Sequence, residues 1–169
     1  TASETLKAWF EAHAAELNAS PQASMAAAFE AAHGAVRDAI LRKYEQAGTP
    51  LTRTREGFYV ETDGQPVDGG TTATVVALLQ GHLLVVANVG DSDCLLGGRL
   101  ADGSIGFEQL CADHTPTNVD EYIRVAKLTE EHGEDWEPAL FCYDADDQQM
   151  LCDLQIFAVS DEGSVAVDA

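Results

Sequence analysis

Apolar positions recur at helical steps through the first part of the chain and then condense into short runs. Over 3–17, Leu6, Trp9, Phe10, His13 and Leu17 fall on one stripe, with Glu4, Lys7 and Glu11 off it, which predicts an amphipathic helix. Asn18-Ala19 is a short link. Ser20-Pro21 then supplies an N-cap and a proline at the first helical position. Met25, Phe29, Ala32, Val36, Ile40 and Tyr44 carry the periodicity on until Gly48-Thr49-Pro50 stops it. The second helix is about seven turns long by its residue count and antiparallel to the first.

Residues 51–70 are punctuated by Gly57, Gly64, Pro66, Gly69 and Gly70, a loop with one short strand at Phe58-Tyr59-Val60. "TTATVVALL" (71–79), Gln80-Gly81-His82 and "LLVVANV" (83–89) then read as a β-hairpin with two largely buried arms. A third strand is expected at 94–97, a turn around Ala101-Asp102-Gly103, and a fourth strand at 104–111. Four short strands in a meander imply an antiparallel sheet. A helix starts near Asn118 and covers 118–128, the stretch 129–153 is acidic and irregular, and "LQIFAVS" (154–160) is one more buried strand. Helices first and antiparallel strands afterwards make an α+β fold. Its expected buried residues include Phe10, Phe29, Val36, Val75, Val86, Leu95, Ile123 and Phe157.

A chain of 169 residues, 46% of them hydrophobic, suffices for one domain over 1–169: helical pair 1–48, sheet region 58–111, helix 118–128, acidic segment 129–153, strand 154–160. No apolar run reaches membrane length, so membrane insertion is not expected. Glu4, Lys7, Glu11 and Glu16 at helical spacing are not those of a secretory signal. Beginning without Met and stopping after "VAVDA", the chain is expected to be a piece of something longer. The net charge of −20 is uneven, with two basic and seventeen acidic residues over 101–169. Such a field repels phosphate backbones and anionic lipid, which speaks against nucleic acid and membrane surfaces. It suits basic partners or divalent cations, or simply keeps the surface solvated. Cys94, Cys111, Cys142 and Cys152 include no C-x-x-C pair, so buried reduced thiols in an intracellular, reducing compartment are expected. His13 and His33 lie within the two helices and are read as packed or solvated.

"VANVGDSDCLL" (86–96) joins two apolar runs through an acidic elbow, with Asp91 and Asp93 at its tip. Either these carboxylates bind something or they solvate a turn. The elbow stands between "DGGTTATVVALL" (68–79) and "LCADHTPTNVDEYIRV" (110–125). In this order the three segments resemble the centre of the metal-dependent Ser/Thr phosphatases of type 2C, the PPM family. That pattern runs G-[ST]-T-A, N-x-G-D-S-R and D-H-x-P-x-x-x-x-E-x-x-R-I. Asp113, His114, Pro116, Glu121 and Arg124 match the last motif, with Val125 for Ile. "LQIFAVSDEG" is similar to the later family strand that ends in D-G. The resemblance covers residues 1–125 and 154–163.

The resemblance implies an α-β-β-α sandwich of antiparallel sheets, here incomplete, with an active site at one edge. It also implies two Mg²⁺ or Mn²⁺ ions that activate a bridging water for in-line attack on a phosphoester. Hard cations require several oxygen ligands. By resemblance, Asp161 matches a principal metal ligand and Asp91 a weaker, additional one, and the two are expected near each other. The family's D-G-H-G-G and terminal D-N motifs are not in the chain. Asp93 stands in place of Arg, Glu162 in place of Gly, and Val165 where a carboxylate partner of Asp91 belongs. The span from Val125 to Leu154 is also shorter than the family's. In the family, the Asp-His pair matched by Asp113-His114 belongs to the loop entering the next helix. No nucleophile elbow, H-E-x-x-H or G-x-G-x-x-G helix start is present, and "DADDQQ" (144–149) lacks the Gly and closing Glu of a calcium loop.

The expectation is therefore a type 2C-like domain, catalytically inactive as given, serving as an interaction or scaffold module for a protein partner. Segment 129–153 or the open sheet edges would make the contact. No catalytic residue and no cofactor is expected for this chain, with Mg²⁺ or Mn²⁺ required if the full-length protein is active. The alternative is a fragment of an active Mg²⁺/Mn²⁺-dependent Ser/Thr phosphatase.

Overall fold

The computed structural model describes residues 1–53, 59–62, 64, 67, 69–115, 118–121, 123, 124 and 127, and the backbone of 141–144, 149–152, 157–159 and 165–167. Two compact units divide the chain, Thr1–Cys111 and Ala112–Ala169.

In the first unit, α1 (Ala2–Ala12) and α2 (Ala14–Ala19) replace the single helix expected over 3–17. The break falls at His13, whose backbone sits at φ −119° and ψ 26°. Its ring stacks on Trp9 at 4.2 Å, and Nδ1 lies 2.8 Å from the Trp9 carbonyl oxygen. That oxygen only accepts, so the ring donates through Nδ1 and draws the helix end onto itself.

The helix α3 (Pro21–Ala47) starts at the proline, as Ser20-Pro21 predicts, although the Ser20 hydroxyl makes no capping bond. It ends in a Schellman motif. Gly48 is left-handed at φ 72°, its N–H reaches the Glu45 carbonyl, and Thr49 N–H reaches that of Tyr44, both at 3.0 Å. The buried face of α3 is Ser24, Met25, Ala28 and Ala32, with Phe29 half-buried. Small residues four apart make a shallow groove into which Leu6 of α1 packs.

Against these helices lies a hairpin of β3 (Ala73–Leu79) and β4 (Leu83–Val89), following the two-residue strands β1 (Thr52–Arg53) and β2 (Tyr59–Val60). Its turn has Gln80 at φ 53° and Gly81 at φ 75°, the paired left-handed conformations that match strand twist. Pairing Val75 with Ala87 and Ala77 with Val85 sets one face of the hairpin on the helices. Leu17, Met25 and Leu79 form the core there, and Leu6, Ala28 and Ala32 a second cluster beside it. Phe10 and Val75 touch both. The opposite face is open, with Val76 53% and Leu78 64% exposed.

β5 (Leu95–Arg99) and β6 (Ile105–Gln109) form the next hairpin. Asp102 turns it by accepting from the Ser104 N–H at 2.9 Å and hydroxyl at 2.6 Å, and these bonds hold its carboxyl below the usual range. This hairpin corrects two expectations. It pairs separately from β3–β4 instead of extending one four-stranded meander. Leu95, expected inside, is 54% exposed, because no described layer covers the hairpin. Of the other residues expected inside, Phe10, Phe29, Val36, Val75, Val86 and Ile123 are half-buried. Phe157 and Phe58 lie outside the residues whose side chains are described.

In the second unit, the chain is helical at 119–121, 123, 124 and 127, as the start near Asn118 predicts. The segment expected to be irregular over 129–153 instead holds the antiparallel pair β7 (Phe141–Asp144) and β8 (Gln149–Cys152). Phe141-Cys142-Tyr143 and Met150-Leu151-Cys152 are strand formers on either side of turn-forming acidic residues, and the charge density hid them. The strand expected over 154–160 is β9 (Phe157–Val159), paired with β10 (Val165–Val167). Helices and small antiparallel sheets make the chain α+β.

Candidate functional site

The acidic elbow grows out of the end of β4. Gly90 has φ 102°, and a Cβ there would fall 2.4 Å from Thr72 Cγ2, so only glycine allows the strand end to lie against Thr72. A chain of short polar contacts fixes the bend. Thr74 Oγ1 donates to Asn88 Oδ1 at 2.7 Å, and Asn88 Nδ2 donates to the Gly90 carbonyl at 3.0 Å. The Thr72 and Ser92 hydroxyls meet at 2.8 Å, and the Cys111 thiol donates to the Ser92 carbonyl at 3.8 Å. The segments "TTAT" and "NVGDS" are thus knit together by their own side chains.

The two elbow carboxylates differ in use. Asp93 accepts from Gln109 Nε2 at 2.9 Å, which ties the elbow to the end of β6. Asp91 is exposed at the tip. Asp161 and Glu162 lie outside the described residues, while Val165 begins β10. Among the described residues, no group of three or more His, Cys, Asp or Glu side chains is placed to hold a metal ion. A hard divalent cation demands more oxygen donors than Asp91 supplies, so the described donor set does not fit a two-metal centre.

The Asp113-His114 segment opens the second unit as a helix entry. Asn118 is the N-cap: Oδ1 accepts from the N–H groups of Asp120 at 3.0 Å and Glu121 at 3.3 Å. Its Nδ2 donates back to the Asp113 carbonyl at 2.6 Å, locking the loop to the helix it starts. One turn on, Arg124 forks onto Glu121 with bonds of 2.7 and 2.6 Å. The guanidinium bond holds the Glu121 carboxyl below the usual range against the opposing effect of its burial, and the charges of Arg124 and His114 add to the lowering. Arg124 is raised in turn. Of the D-H-x-P-x-x-x-x-E-x-x-R match, Asp113, His114, Glu121 and Arg124 are therefore in a loop-and-helix framework, and Pro116 is outside the described residues.

Asn88 enters the sequence pattern only as the first residue of the N-x-G-D-S-R match, and Gln109 does not enter it at all. Asn88 had a signal, an amide two residues before a turn glycine. Gln109 had none, since its role depends on the register of β6.

These motif-bearing segments coincide with a family match. The protein phosphatase 2C family model matches residues 8–132. The chain belongs to the protein phosphatase 2C family. Probable protein phosphatase 2C 72 of Arabidopsis thaliana is 47% identical over 51 residues, 30% of this chain and 15% of that protein. Protein phosphatase 2C homolog 4 of Saccharomyces cerevisiae is 38% identical over 56 residues, 33% of this chain and 13% of that protein. The chain thus spans well under a quarter of the protein phosphatase 2C relatives it matches. No solved structure matches it. No helix among the described residues is long and apolar enough to cross a membrane.

Proposed function

We propose that this polypeptide is a protein phosphatase 2C-like domain that does no metal-dependent hydrolysis as given and serves as an interaction or scaffold module. The observation that carries the reading is the elbow. Asp93, standing where the family has Arg, is bound back to Gln109, and the Thr72, Thr74, Asn88 and Ser92 side chains bond within the same fold. The retained motif holds a bend together. Both carboxylates are exposed, and Asp91 has Val165 in place of its family partner. Asp161 completes the metal set only by resemblance.

The fold proposed for the complete module is the α-β-β-α sandwich. Helices already cover one face of β3–β4, and the exposed Val76 and Leu78 on the other are what a second sheet would bury. The proposed partner is a protein that meets the acidic segment 129–153 or an open strand edge. Cys94 and Cys111 are free thiols, in keeping with a reducing, intracellular setting.

The test is calorimetric titration with Mn²⁺ alongside phosphate release from a phosphopeptide, with Asp161→Ala as control. The expected result is binding no tighter than roughly millimolar, as for sparse oxygen-ligand sites, and no Mn²⁺-dependent turnover. Turnover that disappears in Asp161→Ala would overturn the reading. It would favour the alternative, a fragment of an active Mg²⁺/Mn²⁺-dependent Ser/Thr phosphatase. The small share of its relatives that the chain spans supports that alternative.

A further inference from the structure

We draw no further inference here: the strongest candidate, the exposed apolar face of β3–β4 at Val76, Leu78 and Leu84, carries nothing beyond the proposed sandwich because nothing among the described residues shows what covers it.

Discussion

Gly90 shows how much of a bend can rest on one missing methyl group. Its φ of 102° disfavours any side chain, and the Thr72 methyl occupies the place a Cβ would take. Gly90→Ala must either move β4 off Thr72 or flip the peptide, and both break the Asn88 bond to the Gly90 carbonyl. The substitution is expected to lower the unfolding free energy by about 1–3 kcal/mol, read as a shift of the urea midpoint. A midpoint within error of the original protein would show that the elbow relaxes freely. The same residues show what a sequence can carry. Gly90 and Asn88 announce a turn by type, because turn chemistry is local. The Asp93–Gln109 bond spans sixteen positions and exists only once β5 and β6 are in register, so residue types alone do not contain it.

At the scale of elements, the helix that follows Asn118 has a pH dependence with a definite sign. Glu121 binds its proton less readily folded than unfolded, because Arg124 stabilises the carboxylate. The pair's contribution is therefore complete above the ordinary value of 4.5 and lost as pH falls through the lower folded value. Arg124 is 61% exposed, so water screens the pair and limits it to about 0.2–1 kcal/mol. Glu121→Gln is expected to cost that much near neutral pH, measured by denaturation, and nothing once acid has protonated the carboxyl in both states. A gap that widens in acid would reverse the assignment.

The helix pair supplies another element-scale test. Ala28 has no exposed surface and lies against Leu6, so Ala28→Leu overfills the groove and should cost about 1–3 kcal/mol by denaturation followed by circular dichroism. An unchanged midpoint would mean that α1 rides loosely on α3. This groove was not legible beforehand. A periodicity weighted by hydrophobicity favours Phe29, Val36 and Ile40 over Ser24 and Ala28, although small residues let the backbones come close. The break at His13 escaped the pattern for a different reason: a ring-to-carbonyl bond leaves the apolar stripe intact. By contrast, the start at Pro21, the Gly48 stop, the Gln80-Gly81 turn and the helix entry at Asn118 were readable, since each depends on the backbone preferences of one or two residues.

At the scale of the whole molecule, the α+β class followed from the order of the two periodicities. The exposure of Leu95 did not, because whether it is covered depends on a layer that the residues of its own strand do not specify. One consequence lies in the connectivity of the strands. Among the described residues, every sheet is a pair of strands that follow one another directly along the chain. Only short loops need close before pairing begins, and such closure costs little entropy and lets hairpins form within about 1–10 μs. A two-stranded ribbon by itself is marginal, however, so early zippering is reversible until something packs on it. β3–β4 has helices on one face, whereas Ile105 and Phe107 of β6 stand 80% and 77% exposed. In deuterated water, the paired amides of β3–β4 are expected to exchange only through large-scale opening. Those of β5–β6 should exchange much earlier through local unzipping. Equal protection in both hairpins would mean that β5–β6 is held as firmly as its helix-backed neighbour. Short-range wiring makes assembly quick, and it leaves persistence to whichever ribbons acquire a backing layer.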